Sequence, residues 1–218
     1  MPARRTVTSA RGLVPLGTQD IDLIMDVERR AFESAMQADE HTVLRRLALG
    51  HSVLGIRGPD GHLLGTIGYS SLHLGDTCDG LPPRFKEYSL QVVPPDPDTY
   101  CIYSLGVAPE ARNLACSRLL LGTVFADGRR RGFRRVIGDG SIPSLRGNDQ
   151  VAPRPEIREM IDRYQRTGRF PEQHEFLRDP LLAFYQRIVH CRFVKLMPDF
   201  LPEDAASEGW RVLLESTL

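Results

Sequence analysis

Long apolar runs, cysteine pairs and an excess of charge of one sign are all missing from this sequence. Its 28 lysines and arginines balance its 28 aspartates and glutamates, which argues against a strong nucleic-acid or anionic-membrane partner. No apolar run approaches the ~20 residues of a membrane-spanning helix. Residues 1–12 are basic but contain no apolar segment, so they do not resemble a secretory signal. We therefore expect a soluble, cytoplasmic protein.

The few cysteines lack the spacing of a metal site or a redox pair. The four are Cys78, Cys101, Cys116 and Cys191. No two of them form a CxxC motif, so we expect reduced and mostly buried thiols in a cytoplasmic chain. The sequence therefore predicts neither a disulfide framework nor a metal site.

What is present is the composition of a globular protein. The chain has 218 residues, of which 41% are hydrophobic and 26% charged, as in ordinary folded domains. We see no internal repeat, no low-complexity segment and no domain boundary. We expect a disordered tail over residues 1–10 and one domain over 11–218.

The first half of the chain alternates between strand and helix patterns. Apolar spacing predicts a strand at 13–16, helices at 20–32 and 42–49, and strands at 52–57 and 63–72. The sequence Gly58-Pro59-Asp60-Gly61 between the last two is a strong hairpin signal.

A central stretch, 100–136, predicts a strand, a turn, a helix and a further strand. The first strand covers 100–107, and apolar spacing indicates a helix over 117–131 that ends before Gly132. A strand follows at 133–137. The first turn of such a helix carries free backbone N–H groups, which bind a phosphate or pyrophosphate well.

The last third contains two more helices and two more strands. An irregular stretch covers 138–155, and a charged helix follows at 156–167. Asp179-Pro180 begins another helix, since proline is tolerated in the first turn. The final strands are predicted at 193–197 and 210–214.

The central stretch also resembles a known motif. Residues 105–117 read LGVAPEARNLACS, which is similar to motif A of the GNAT acyltransferase superfamily, a strand ending in V-x-P followed by [QR]-x-x-G-x-[GA]. Arg112 fills the first position, Ala115 replaces the usual glycine, and Ser117 replaces glycine or alanine. Both replacements are small, although alanine does not adopt positive φ freely.

The C-terminal third narrows the resemblance. Ala183-Phe184-Tyr185 resembles the A-x-x-F-Y helix of these proteins, whose tyrosine lies beside the CoA sulfur. The segments DPLLAFYQR and LMPDFLPEDAASEGWRVLLE are similar to one GNAT subset. That subset includes nitrilase-fused GNAT domains and the GNAT-like loading domains of polyketide synthases.

The resemblance implies a fold. We expect a single α/β GNAT-like domain whose mixed, mostly antiparallel sheet has about seven strands. The sheet should be splayed after the fourth strand and flanked by helices.

The resemblance also implies a function. It points to an acyltransferase of the N-acetyltransferase type that moves an acyl group, in the first instance acetyl, from acyl-CoA to an amine. Transfer would be direct, within a ternary complex and without a metal. One alternative is transfer to the phosphopantetheine thiol of an acyl carrier protein, and another is a non-catalytic acyl-CoA-binding domain. The expected partners are a small-molecule amine or a carrier protein, and the expected state is a monomer or homodimer.

The GNAT resemblance assigns the acyl-CoA site to two segments. The acyl and pantetheine arm would lie along Leu105, Gly106 and Val107, whose N–H groups can polarise the thioester carbonyl. The pyrophosphate would be held by the residues of the loop and helix start: Arg112, Asn113, Leu114, Ala115, Cys116 and Ser117.

Candidate acid and base groups follow from the same resemblance. Tyr185 is the candidate general acid, because a phenol with a pKa of ~10 is protonated at neutral pH; the other interpretation is a core tyrosine. The strand at 100–107 offers no glutamate or histidine as base in its first half. Asp139, expected in a turn just past the next strand, and His73 are the remaining candidates. A thiol acceptor, with a pKa of about 8.5, would need less help from a base than an alkylammonium near 10.

The loading-domain relatives add one further expectation, about decarboxylation. As we align them, they carry a threonine just past the strand that matches 134–138 and a histidine at the position of Tyr185. This sequence has Asp139-Gly140-Ser141 and Tyr185 instead. We therefore expect transfer of an intact acyl group, without decarboxylation of a malonyl thioester.

Overall fold

The fold is a seven-stranded sheet with helices on both faces. The computed structural model describes residues 11–112 and 115–218. The strands are β1 Arg11–Leu16, β2 Ser52–Arg57, β3 Leu63–Leu72, β4 Thr99–Val107, β5 Arg135–Ser141, β6 Arg192–Met197 and β7 Arg211–Thr217. The α-helices are α1 Ile21–Ala31, α2 Glu40–Ala48, α3 Phe85–Tyr88, α4 Cys116–Arg130, α5 Pro155–Thr167, α6 Gln173–Phe176 and α7 Pro180–Val189.

The strands lie in the order β1-β2-β3-β4-β5-β7-β6. Every neighbouring pair is antiparallel except β4 and β5, which are parallel. Helix α4 makes this parallel crossover, as a parallel connection requires. The α/β class and the mixed, mostly antiparallel sheet of seven strands are confirmed.

Strands β4 and β5 diverge, as the resemblance predicted. They pair only where Thr99–Ile102 lies beside Arg135–Gly138. Beyond that point β4 continues to Val107 and β5 to Ser141. The sheet is therefore splayed after the fourth strand.

The helices cover opposite faces of the sheet because β2 alternates its apolar side chains. Leu54 packs with α4 residues such as Leu120, while Val53 packs with Val27 of α1 and Val43 of α2. Helices α1 and α2 therefore lie on one face and α4 on the other.

The predicted end of α4 is confirmed. Gly132 has φ of 77°, which glycine adopts without steric cost. Its N–H donates to the Arg129 carbonyl at 3.1 Å, and the Phe133 N–H donates to the Gly128 carbonyl at 3.0 Å. These two bonds satisfy carbonyl groups of the last turn.

Several boundaries differ from the prediction. Strand β5 runs on to Ser141 rather than ending at 137, because its whole length pairs with β7. Helix α2 begins at Glu40, where the Asp39 carboxylate accepts from the Thr42 N–H and caps the helix. Helices α3 and α6 were not predicted, since four residues are too few to establish a periodicity.

The remaining expectations concern the cysteines, membrane-spanning helices and the N-terminal tail. All four cysteines are buried and free, as predicted. Within the described part of the chain, no helix is long and apolar enough to cross a membrane. The predicted tail, residues 1–10, lies outside the described residues.

Candidate active site

A cleft of about 940 Å³ lies where β4 and β5 diverge. Its lining comes from both faces of the sheet, with Leu121 and Phe125 of α4 on one face and Arg46 of α2 and Phe85 on the other. The gap between the two strands therefore connects the two faces. A cleft of this size and position can accommodate two substrates that meet inside the sheet.

A bulge in β4 marks the start of the cleft. Ile102 pairs with Tyr69 and Ser104 pairs with Gly68, so Tyr103 is an extra residue between two ladder positions. Bulges of this kind bend a strand and increase its twist. Within residues 11–112 and 115–218, β4 past Ile102 pairs with β3 alone. Its other edge thus presents backbone N–H and C=O groups to the cleft, where an extended amide such as pantetheine can pair.

The three strand residues predicted to hold the acyl arm differ in their positions. Leu105 and Val107 line the cleft. Gly106 packs beneath α1 instead, since a Cβ there would lie 3.0 Å from the Phe32 ring and 3.2 Å from the Ala31 methyl. Gly106 can therefore act on a ligand only through its backbone, and its lack of a side chain lets α1 approach β4.

The start of α4 faces the same cleft. Arg112 and Ser117 line it, while Cys116 is 3% exposed and packs into the core under the helix. Burial raises the pKa of the Cys116 thiol, so this cysteine is a poor nucleophile. The helix begins at Cys116, and the N–H groups of a first turn have no partner within their own helix.

Ala115 adopts the left-handed conformation, with φ of 56° and ψ of 18°, at the N-cap of α4. This is the position at which motif A has glycine, and the geometry explains that preference. The alanine accepts the strained backbone that the loop requires. Asn113 and Leu114, also predicted to hold the pyrophosphate, lie outside the described residues.

Tyr185 of α7 lines the cleft from the α4 face. It is half-buried and packs against two apolar clusters, one around α4 and one around α5 and β7. Burial, followed by the negative charge of Asp139, raises the pKa of its hydroxyl to about 12, and the positive charge of Arg211 opposes this shift. The hydroxyl is therefore protonated at neutral pH.

Asp179 positions the helix that carries Tyr185. One carboxylate oxygen accepts from the N–H groups of Leu181 at 2.9 Å and Leu182 at 3.1 Å and caps α7. The other oxygen accepts from the N–H of Ser144 at 3.0 Å. Because Asp179 is fully buried, it fixes α7 relative to the loop that follows β5.

Asp139 lies in β5, not in a turn, and this corrects the sequence prediction. Its side chain is 6% exposed and lines the cleft, with its Oδ2 atom 3.8 Å from Nη1 of Arg211. Burial raises the pKa of this carboxyl to about 6, although Arg211 lowers it. Asp139 and Tyr185 therefore line one cleft, and the charge of Asp139 contributes to the raised pKa of Tyr185. His73, the other candidate base, is exposed, and its ring contacts the Asp96 carbonyl away from the cleft.

A polar network behind Asp139 was not predicted. Arg211 Nη2 lies 3.1 Å from Asp204 Oδ2, and the same oxygen accepts from the Ser141 hydroxyl at 2.5 Å. Ser207 completes the network, with its hydroxyl 2.6 Å from that of Ser141. The side chain of Asp204 is 1% exposed, although acids that precede a strand are commonly solvated. The acidic loop, which is the segment between β6 and β7, folds back onto β5 and places this carboxylate in the interior.

Two arginines of the cleft were also missed. Arg46 is buried on α2 together with Val43. Its spacing was the available sequence signal, because a residue three positions after apolar Val43 lies on the same, core-facing side of the helix. Arg211 begins β7 between Trp210 and an apolar run. Within the described residues, no group of three histidine, cysteine or acidic side chains could hold a metal ion.

Comparison with known proteins identifies the fold. No protein-family model matches the sequence, and no curated protein gives a significant match. Solved structures do match. The GphF GNAT-like decarboxylase in complex with isobutyryl-CoA aligns over 95% of this chain and 99% of its own, with a TM-score of 0.71 and 21% identity. The chain has the GNAT fold.

Other GNAT structures match over similar lengths. The loading GNATL domain of CurA from Lyngbya majuscula aligns over 94% of this chain and 96% of its own, with a TM-score of 0.70 and 18% identity. A phosphinothricin acetyltransferase from Sinorhizobium meliloti in complex with AcCoA aligns over 96% and 89%, with a TM-score of 0.53 and 13% identity. The GNAT fold thus serves decarboxylases, loading domains and acetyltransferases, so the reaction must be argued from the site.

Proposed function

We propose that this protein transfers an acyl group from acyl-CoA directly to an amine. The observation that carries the proposal is the cleft in the splayed sheet, which has the start of α4 at one side and Asp139 and Tyr185 facing it. A helix N-terminus binds pyrophosphate through its free N–H groups and its dipole. Similarity to the two CoA-bound structures supports an acyl-CoA as the donor.

Each step has a candidate group in this chain. The free edge of β4 would hold pantetheine, and the N–H groups near Leu105 would polarise the thioester carbonyl. Asp139 would take the proton from the amine as its nitrogen attacks that carbonyl. The C–S bond then breaks, and Tyr185 would give its proton to the departing thiolate. The products are an amide and free CoA.

The two proton transfers would assist each other. The charge of the Asp139 carboxylate is one cause of the raised pKa of Tyr185. When Asp139 takes up the proton of the amine, that charge disappears and Tyr185 becomes a stronger acid. Deprotonation of the acceptor would therefore prepare the protonation of the leaving group.

A second candidate is transfer to the phosphopantetheine thiol of a carrier protein. The similarity to a loading domain favours it. The pKa of Asp139, about 6, also lies closer to that of a thiol than to that of an alkylammonium. A third candidate, an acyl-CoA-binding domain without turnover, would use the same cleft.

One experiment separates the three candidates. The purified protein is incubated with acetyl-CoA and either a panel of amines or a phosphopantetheinylated carrier protein, and products are identified by mass spectrometry. We expect an N-acetylated amine and free CoA. An acetylated carrier would indicate the second function, and tight binding of unreacted acetyl-CoA the third.

A further inference from the structure

Arg46 is a buried cation beside the cleft. The residue is 7% exposed, and its Nη2 atom donates to the Ser89 hydroxyl at 2.9 Å. Its guanidinium carbon lies 4.7 Å from the centre of the Tyr103 ring, a distance typical of a cation–π contact. Within residues 11–112 and 115–218, its buried Nε atom has no hydrogen-bond partner. The side chain is thus held in place but has unused donor capacity.

The guanidinium also lacks a counter-ion. Among the described residues, no carboxylate oxygen lies within the 4.0 Å of an ion pair. The rest of the chain, 1–10 and 113–114, contains no acidic residue that could supply one. Glu28, Asp139 and Asp39 act on Arg46 electrostatically, but each only from beyond ion-pair distance. A buried charge is costly unless it is paired and hydrogen-bonded, and a bound anion would complete such a pair for Arg46.

Glu28, the acid with the largest electrostatic effect on Arg46, forms no ion pair with it. Glu28 on α1 is buried, and its Oε1 atom accepts from the Ala38 N–H at 2.9 Å. Burial raises the pKa of this carboxyl, and the Ala38 N–H and the charge of Arg46 oppose the shift. Glu28 is thus bonded to the backbone and makes no ion pair with Arg46, so an anion from outside the chain can supply the direct contact.

The position of Arg46 suggests which substrate carries that anion. Arg46 contacts Tyr103 on the α2 face of the sheet, whereas the start of α4 lies on the opposite face. A donor held at α4 would bring its thioester into the gap from one side. An acceptor entering from the other side would pass Arg46 before it reached Asp139.

We propose that Arg46 binds a substrate carboxylate, carried by an amine acceptor of the amino-acid type. This inference rests on the proposed function and specifies its acceptor. A guanidinium matches a carboxylate through paired hydrogen bonds, and the donors that Arg46 has left would serve this contact. The amine of the same molecule could then reach Asp139, which lines the same cleft. A carboxylate at the end of the acyl chain is the other source of this chemistry.

The acceptor arm of the test measures selectivity. With acetyl-CoA as donor, kcat/KM is measured for the L-amino acids and for their carboxamides. We expect the wild-type protein to prefer an amino acid over its amide by roughly 30-fold or more, which corresponds to about 2 kcal/mol. Arg46→Gln should bring this ratio close to one, and Arg46→Lys should give an intermediate value.

The donor arm measures binding without an acceptor. Calorimetry gives the Kd of succinyl-CoA and of butyryl-CoA, which lacks the terminal carboxylate. If Arg46→Gln weakens only succinyl-CoA, the carboxylate belongs to the acyl group and the acceptor assignment fails.

Matched controls separate recognition from folding. Arg45→Gln removes an exposed charge one residue away on the same helix and should leave both ratios unchanged. If Arg46 serves only the fold, Arg46→Gln should lower the unfolding temperature without changing either ratio. If Arg46→Gln fails to fold, the wild-type protein decides the question. Equal kcat/KM for amino acids and their carboxamides, together with equal Kd for succinyl-CoA and butyryl-CoA, would overturn the inference. Failure of the wild-type protein to bind acetyl-CoA would instead reject the proposed function itself.

Discussion

Burial shifts the pKa values of single side chains in the cleft more than neighbouring charges do. Asp139 lies beside Arg211, which favours the carboxylate, yet its pKa rises to about 6 because burial outweighs the ion pair. The same burial keeps the Tyr185 hydroxyl protonated. A base near neutral pKa and a protonated acid in one cleft are what acyl transfer to an amine requires.

Tyr185→Phe is the direct test of the acid. We expect kcat to fall by about 10²–10⁴, with acyl-CoA affinity nearly intact because only the hydroxyl is lost. Turnover and calorimetric Kd are measured for both proteins over a pH series. Full activity of the phenylalanine variant at every pH would mean that Tyr185 serves only in packing.

Asp139→Asn tests the base through its pH dependence. Because Asp139 must be ionised to accept a proton, wild-type kcat/KM should rise as pH increases through about 6. In the asparagine variant activity should drop by about 10² or more, and this limb should disappear. A variant that retains the limb would assign it to another group.

The same substitution has a predictable effect on stability. The folded protein holds the Asp139 proton up to about pH 6, whereas the ordinary pKa of an aspartate carboxyl is 3.8. The native state therefore binds more protons in this window, and wild-type stability falls as pH rises through it. Asp139→Asn lacks this loss, so its free energy of unfolding should exceed wild type above pH 6, by up to about 3 kcal/mol. The difference should vanish below pH 4 in denaturant titrations.

At the level of elements, the start of α4 and the free edge of β4 form the two halves of the proposed acyl-CoA site. Each presents backbone groups, so neither depends on one particular side chain. This explains how Ala115 and Ser117 can replace the usual small residues of motif A. The cost is the left-handed conformation of Ala115, which an alanine tolerates less well than glycine.

Two substitutions at Ala115 separate binding from strain. Ala115→Asp places a carboxylate beside the proposed pyrophosphate and should weaken CoA binding by about tenfold or more, while aspartate still tolerates positive φ. Ala115→Gly relieves the strain and should raise stability by about 1 kcal/mol with CoA binding retained. Calorimetry and thermal unfolding measure both effects. Unchanged affinity in Ala115→Asp would move the CoA site elsewhere.

At the level of the whole molecule, the cleft passes through the sheet, so the two substrates of the proposed reaction would approach from opposite faces. This geometry favours a ternary complex, and the buried Cys116 gives no support to a covalent intermediate. The GNAT fold by itself does not choose between transfer and decarboxylation, since matched structures include both kinds.

We predict that the protein does not decarboxylate malonyl-CoA. Gly140 has no side chain to offer, and the Ser141 hydroxyl is already bonded to Asp204 and Ser207. These positions therefore lack the hydroxyl and histidine pair that the resemblance to loading domains associates with decarboxylation. Labelled malonyl-CoA is incubated with the protein, with and without a carrier protein. Release of carbon dioxide with formation of acetyl-CoA or an acetylated carrier would refute this prediction.

The sequence alone determined the strands and the long helices and, through the resemblance, the overall fold, but not the two four-residue helices α3 and α6. Each strand and long helix has its own periodicity, and local signals such as Gly132 and the 58–61 turn act over a few residues. The small residues at 115 and 117 and the sequence around Tyr185 carried the resemblance that predicted the splayed sheet. These features can be read from the chain because their causes are local.

Only the tertiary structure decided what surrounds the reactive groups. Asp139 belongs to β5 because β7, distant in sequence, pairs along its full length, and its raised pKa follows from that burial. Asp204 and Arg211 come together because the acidic loop folds back against β5. Arg46 has the same charge in the sequence as any exposed arginine. Its importance depends on being buried without a carboxylate nearby, and burial and pairing are set by contacts between distant parts of the chain.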